Sequence, residues 1–294
     1  MTQRADDLPM ALQLNSNYSS RIPLSVDGIC PTTVSRLSES EISALPVRRG
    51  RHVHRLDDFF DVSGSAQEDE TIEWRGNLGC VQHIGRSMTS GKVIVESAAG
   101  DFIGAEMAGG QLLAHGDVGD FAGLAMAGGQ LTVLGSAGDH LASVHPGAKR
   151  GMNRGTIWVQ GDAGAGVGQS MRRGTIVIGG NIGPACGWNM IAGTLLALGS
   201  IEGSVGVGMR RGTIINANRS WEKSAEAELS RSSLLPSFAK GPCHPIPILR
   251  LLQRSLRGSI FESEKLAFLG GAFQLYHGDQ LHGGHGEYLI AQPG

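Results

Sequence analysis

Five side chains able to bind a metal or move a proton, His277, Asp279, His282, His285 and Glu287, fall within eleven residues near the end of the sequence. Imidazoles and carboxylates this close together have the composition of a zinc site. The glycines at 278, 283, 284 and 286 instead describe a mobile, solvated surface loop with nothing to orient the ligands. His52 and His54, flanked by arginines, read as surface residues. Two glycine-rich stretches invite comparison with phosphate loops. Residues 85–93 (GRSMTSGKV) place the first glycine one residue too far from the lysine and put Val93 where a hydroxyl should meet magnesium. Residues 161–168 (GDAGAGVG) lack the G-x-G-x-x-G register. The pairs Gly100-Asp101, Gly119-Asp120 and Gly138-Asp139 suggest calcium rolls, but those have a shorter repeat with aspartate in every copy. These aspartates are expected to form turns. Cys30, Cys80, Cys186 and Cys243 make no Cys-x-x-Cys pair, which removes the common zinc and iron–sulfur spacings and any disulfide framework. No residue is therefore assigned to catalysis, cofactor binding or metal binding.

Positive charge is the remaining signal. Arg154, Arg173 and Arg211 share one phase of a repeat, and Arg172 and Arg210 stand one residue earlier. Lys149 and Arg150 lie close by, and Ile191-Ala192 interrupts the series. Arg150, Arg154, Arg172, Arg173, Arg210 and Arg211 are thus candidate contacts for an acidic partner protein or a polyanionic ligand tail. The other reading is solvated edge charge that keeps strands from aggregating.

What must position these residues is the repeat itself. Met88, Met107, Met126, Met152, Met171, Met190 and Met209 are spaced by 19 residues except for one interval of 26, a seven-residue insertion. A glycine follows each by three residues, and all but Met152 have a glycine three residues before. Apolar residues come five and seven positions later, as in Val93/Val95 and Ile176/Ile178. Alternation over so short a run predicts a strand rather than an amphipathic helix. One such unit cannot bury its apolar side, but stacked units can. The expected fold is all-β: a right-handed parallel β-helix of seven 19-residue coils, on the order of 34 Å long at the spacing of adjacent strands. The methionines should fill an interior column.

Open ends of such a rod need caps. Residues 1–70 are expected to form an N-terminal capping leader, residues 71–218 the seven coils, and residues 219–294 a C-terminal docking arm. Within the arm, residues 246–257 read as an amphipathic helix. Pro247 lies in its first turn, Leu249, Leu252 and Leu256 form one stripe, and Gly258 ends it.

The net charge of -2 argues against general affinity for nucleic acid or anionic membranes. The N-terminus does not read as a signal peptide, and no run of about 18 apolar residues exists, so a reduced cytoplasmic location is expected. Arginine far exceeds lysine, which points to a GC-rich bacterial genome.

The repeat, with elements such as residues 104–110 (GAEMAGG) and 212–215 (GTII), resembles the glycine-rich domain of the glutamate synthase large subunit. It is more similar to the C subunit of formylmethanofuran dehydrogenase. That family resembles this chain in the element at residues 150–155 (RGMNRG) and in a leader ending Phe59-Phe60-Asp61-Val62-Ser63-Gly64. The likeness covers roughly residues 20–216. It implies a non-catalytic scaffold subunit of a hetero-oligomer containing amidohydrolase-like and formyltransferase subunits. In bacteria, the related formyltransferase/hydrolase complex moves a formyl group from formyl-tetrahydromethanopterin to a methanofuran analogue and releases formate. Methanofuran-type and tetrahydromethanopterin-type cofactors and zinc are implied for the partner subunits, with no cofactor in this chain. The composition and the long C-terminal arm favour this bacterial form. The alternatives are the C subunit of a molybdenum or tungsten formylmethanofuran dehydrogenase and a glutamate-synthase-like module.

Overall fold

The computed structural model describes residues 11–218, 234–261 and 266–292. The N-terminal region holds strands β1 (Leu12–Ser16), β2 (Leu24–Ser25), β3 (Pro46–Arg49), β4 (His52–Arg55) and β5 (Phe60–Ser63), and short helices α1 (Pro31–Val34) and α2 (Glu39–Ser43). Strands β6 (Thr71–Gly76) and β7 (Val81–Gln82) follow. Next come short strands, one per repeat: β8 (Lys92–Val95), β9 (Gln111–Ala114), β10 (Gln130–Val133), β11 (Thr156–Val159), β12 (Thr175–Ile178), β13 (Thr194–Ala197) and β14 (Arg211–Asn216). The chain ends in β15 (Ala239–Pro245), α3 (Pro247–Ser255), β16 (Ala272–Gly278) and β17 (His285–Ala291). Among the described residues, thirteen strands form one large sheet and four form a smaller one. The protein is all-β with few helices.

From β6 to β14 every neighbour in the large sheet is parallel and in register, so like stacks on like: Val93, Leu112, Leu131, Ile157, Ile176, Leu195 and Ile214 are successive partners. All are buried. A second column of parallel bridges runs through Leu78, Ala99, Val118, Ala137, Ala163, Ile182 and Ile201. The methionines form a third column, each 0% exposed. Burying one such side chain contributes about 1.5–3 kcal/mol, and no rung could do so alone.

Corners are tight because alternate residues adopt the left-handed conformation, as at His83, Gly85 and Ser87 and again at Phe102, Gly104 and Glu106. Each such non-glycine residue costs on the order of 1–2 kcal/mol, offset by rung-to-rung hydrogen bonds such as Ser87 N to Ala105 O (2.9 Å) and Phe102 N to Asp120 O (2.9 Å). Close stacking also excludes side chains: a Cβ on Gly128 would overlap the carbonyl oxygen of Ala108. The aspartates of the Gly-Asp pairs do more than turn the chain. Asp101, Asp120 and Asp139 each accept the amide of a residue one rung on, Asp120, Asp139 and Ala165, at 2.7–2.9 Å. One rim carries a ring stack, His83 on Phe102 on Phe121 on His140, with centroids 4.9–5.0 Å apart.

Both ends of the ladder are covered. At the N-terminal side β1 joins β6 in parallel and β5 joins β1 antiparallel. At the other, β17 joins β14 in parallel, and β16 and β15 follow antiparallel. β15 is an exposed edge whose Lys240, Pro242 and Pro245 discourage further pairing. The expected helix forms as α3, with Leu249 and Leu256 buried. It belongs to a second core, in which Leu249, Leu256, Phe261 and Leu269 cover the outer face of the last rungs at Val177, Leu196 and Ile215. Those strands are thus buried on both faces rather than half-buried. All four cysteines are free, and complete burial pushes the Cys186 thiol up to about 12.

Candidate functional site

The arginine-bearing corner follows directly after the buried methionine. Backbone amides of Arg172, Ile191 and Arg210 donate to the carbonyls of Met152, Met171 and Met190, each at 2.8 Å. Arg172, Ile191 and Arg210 therefore form one column at rung spacing, and Arg172 and Arg210 stand two rungs apart, about 10 Å. Beside them Gly151 N bonds Ser170 O (2.9 Å) and Ser170 N bonds Trp188 O (2.8 Å). The seven-residue insertion turns on Ala148 N to His145 O (2.9 Å) and delivers Lys149 and Arg150 to the same edge.

A cleft of about 610 Å³ opens there, lined by Lys149, Arg150, Arg172 and Arg210 with Ser170, Asn189 and His282. The lysine and the three arginines project from exposed or half-buried positions. Among the described residues none of these four cations has a carboxylate within ion-pair distance, although Arg55 and Arg75 each have one and Arg86 has two. The expected set of six arginines therefore splits. Arg150, Arg172 and Arg210 share the cleft, whereas Arg154, Arg173 and Arg211 lie outside its lining. Arg211 opens β14 opposite His285 of β17.

His282 is the residue that sequence reasoning placed elsewhere. The C-terminal histidine-rich stretch is not a mobile loop but a hairpin, β16–β17, closed by a short turn at Gln280–His282 and bonded to the ladder. Alternation in residues 272–278 (AFQLYHG) and 285–291 (HGEYLIA) around a glycine-bounded turn was the available signal. Its donors are dispersed. Glu287 pairs with His277 across the hairpin and accepts the Thr213 hydroxyl (2.8 Å), His282 turns to Asp279, and no group of three is placed to hold a metal among the described residues. Asp279 is 3% exposed and accepts from Gly208 N (3.2 Å) and Leu281 N (3.1 Å), while its Oδ2 lies 3.1 Å from His282 Nδ1. Burial pushes its pKa up, but hydrogen bonds from Ser237, Leu281, Gly208 and His282 outweigh burial and hold it below the ordinary aspartate value. A buried carboxylate thus fixes the imidazole at the mouth of a basic cleft.

The stretches reminiscent of phosphate loops are ordinary parts of the ladder. Gly85 has a φ of +68° and a Cβ there would press on the tip of Leu112, so the corner itself accounts for that glycine.

No family model matches the chain. It is 35% identical over 80 residues to the C subunit of the molybdenum-containing formylmethanofuran dehydrogenase 1 of Methanothermobacter marburgensis, covering 27% of this chain and 20% of that protein. It is 34% identical over 94 residues to the C subunit of the tungsten-containing formylmethanofuran dehydrogenase 2 of Methanococcus maripaludis, covering 31% of this chain and 34% of that protein. Among solved structures, a chain of the formyltransferase/hydrolase complex FhcABCD from Methylorubrum extorquens, crystallised with methylofuran, matches with a TM-score of 0.81 at 29% identity. The resemblance is to the formylmethanofuran dehydrogenase C subunit. The stretches shared with the curated relatives span about a fifth to a third of those proteins, whereas the structural match covers 96% of this chain and all of its counterpart. That neighbour is a component of a multi-subunit assembly. No helix among the described residues is long and apolar enough to cross a membrane.

Proposed function

We propose that the chain is the non-catalytic scaffold subunit of a formyltransferase/hydrolase complex, and that its ladder is a right-handed parallel β-helix of seven coils. In this reading the assembly moves a formyl group from formyl-tetrahydromethanopterin to a methanofuran analogue and releases formate. Amidohydrolase-like and formyltransferase subunits carry the chemistry, the cofactors and the zinc. The observation that carries the reading is the full-length structural match, which includes the C-terminal arm and not only the repeats. The C subunit of a molybdenum or tungsten dehydrogenase is the second reading, favoured by the curated relatives; their alignments reach no more than 31% of this chain.

The basic cleft would take an acidic face of a partner subunit or the polyanionic tail of a cofactor. Purification of the tagged full chain from its source tests the whole reading. Formyltransferase and amidohydrolase-like subunits in one native mass, with formate released from formyl-tetrahydromethanopterin, are expected. A molybdopterin subunit in their place would favour the second reading, and a lone monomer would sink both.

A further inference from the structure

Helix α3 leaves two large aliphatic side chains in solvent. Ile248 is 64% and Leu251 57% exposed, while Leu249 on the opposite side is buried. The other exposed large apolar residues among those described, Ile22, Val53, Trp188 and Leu281, are scattered singly, which is normal for a surface. Ile248 and Leu251 instead stand one helical turn apart on the rim of a cavity of about 430 Å³. Its floor is the outer face of the ladder: Thr175, Thr194 and Thr213 stacked in register, with Ile215, Leu289 and Glu287, whose carboxylate accepts the Thr213 hydroxyl. Arg250, Arg254 and Arg257 are exposed along the same segment, which contains no acidic residue, and none of them is ion-paired among the described residues.

We propose that this groove is a docking site for a segment of another subunit that inserts two or three aliphatic side chains and flanks them with carboxylates. The claim rests on the subunit role proposed above. Recess and rim demand protruding apolar anchors, and the arginines, unpaired among the described residues, select their acidic neighbours. A second copy of this chain would set one arginine-bearing helix against another, at a repulsive cost. A bilayer surface would meet Ile248 and Leu251 but has no side chains to fill the recess behind them.

The test uses the tagged full chain, purified with its associated subunits, in three forms: wild type, Ile248→Ser with Leu251→Ser, and Arg250→Ser with Arg254→Ser and Arg257→Ser. Both substituted surfaces are exposed, so melting of the isolated chain should not change. The double variant should hold one subunit roughly tenfold or more weakly, read from native mass against concentration. The triple variant should weaken the same subunit at low salt and lose its effect near 0.5 M salt. Cross-linking from Leu251→Cys should map to an apolar segment of that subunit flanked by Asp or Glu.

Unchanged composition and affinity in both variants would overturn the proposal. So would a double variant that abolishes only self-association, or only co-sedimentation with phosphatidylglycerol vesicles. If the subunit released is neither amidohydrolase-like nor a formyltransferase, the complex proposed above is wrong while the docking site stands.

Discussion

The same edge of the ladder handles charge in two ways. In its early rungs Arg86 reaches Asp27 (2.9 Å) and Glu106 (3.0 Å), and His145 Nε2 lies 2.8 Å from the same glutamate. In its late rungs Lys149, Arg150, Arg172 and Arg210 line a cleft with no described carboxylate to answer them. Corner geometry is shared, so the difference lies in the side chains. Where the leader packs on the edge, acids have been placed against Arg86, Asp27 from the leader and Glu106 from the ladder itself. Where the edge is open, they have not. Cations held close together without partners repel one another, and an incoming anion would relieve that.

The strongest way to break this contrast is charge reversal in the open half. Arg172→Glu with Arg210→Glu should lower affinity for the partner or polyanion about 100-fold at low ionic strength. Melting should move by no more than about 2 °C, because exposed substitutions change stability little. The loss should shrink as salt rises and the screening length falls from about 10 Å at 0.1 M toward 3 Å at 1 M. Binding measured by titration calorimetry at two salt concentrations decides it. An affinity indifferent to both the substitutions and salt would return these arginines to solvated edge charge.

A second test separates the cleft from its support. Asp279→Asn replaces with an amide NH2 donor one of the two buried oxygens that between them accept two backbone amides and face His282. It should cost about 2 kcal/mol in denaturant unfolding and speed hydrogen exchange at Gly208 and Leu281. His282→Ala should leave stability nearly unchanged. Equal destabilisation by both would mean that the imidazole, not the carboxylate, anchors the hairpin.

How far the sequence carried this picture depends on where neighbours come from. The nineteen-residue offset, the buried methionine column and the stripe of α3 were legible because each is written in a local period. The ring stack of His83, Phe102, Phe121 and His140 has the same period, its positions nineteen apart, yet only the structure brought it out. The partition of the arginines was not. Adjacent residues diverge at a corner where alternate positions are left-handed, and residues such as Ser170 and Ala185 that adopt that conformation carry no compositional mark. Nor could spacing say that residues 279–282 would lie against Gly208, 71 positions earlier.

In the paired half the effects should be smaller and of the opposite kind. Arg86→Ala loses two partly exposed ion pairs and should cost about 1 kcal/mol, with no change in partner affinity. Its signature should be a change in pH dependence. Burial pushes the Glu106 pKa up, but Arg86, then Ser87 and His145, outweigh burial and hold it below the ordinary glutamate value. A carboxylate whose folded pKa lies below its unfolded one contributes stability above the unfolded value and loses it as pH falls through the folded one. Melting measured from about pH 6 to about pH 3 should therefore fall more steeply in wild type than in Arg86→Ala, and the two curves should converge in acid. The cleft cations have no such carboxylate among the described residues, so Arg172→Ser with Arg210→Ser should track the wild-type curve throughout. If that pair also flattens the acid limb, the late rungs contain a paired acid after all and the contrast between the two halves fails. If Arg86→Ala leaves the limb unchanged, the early ion pairs contribute nothing to folding, and the leader is held to the edge by packing and by hydrogen bonds such as Leu24 N to Cys80 O and Val26 N to Gln82 O.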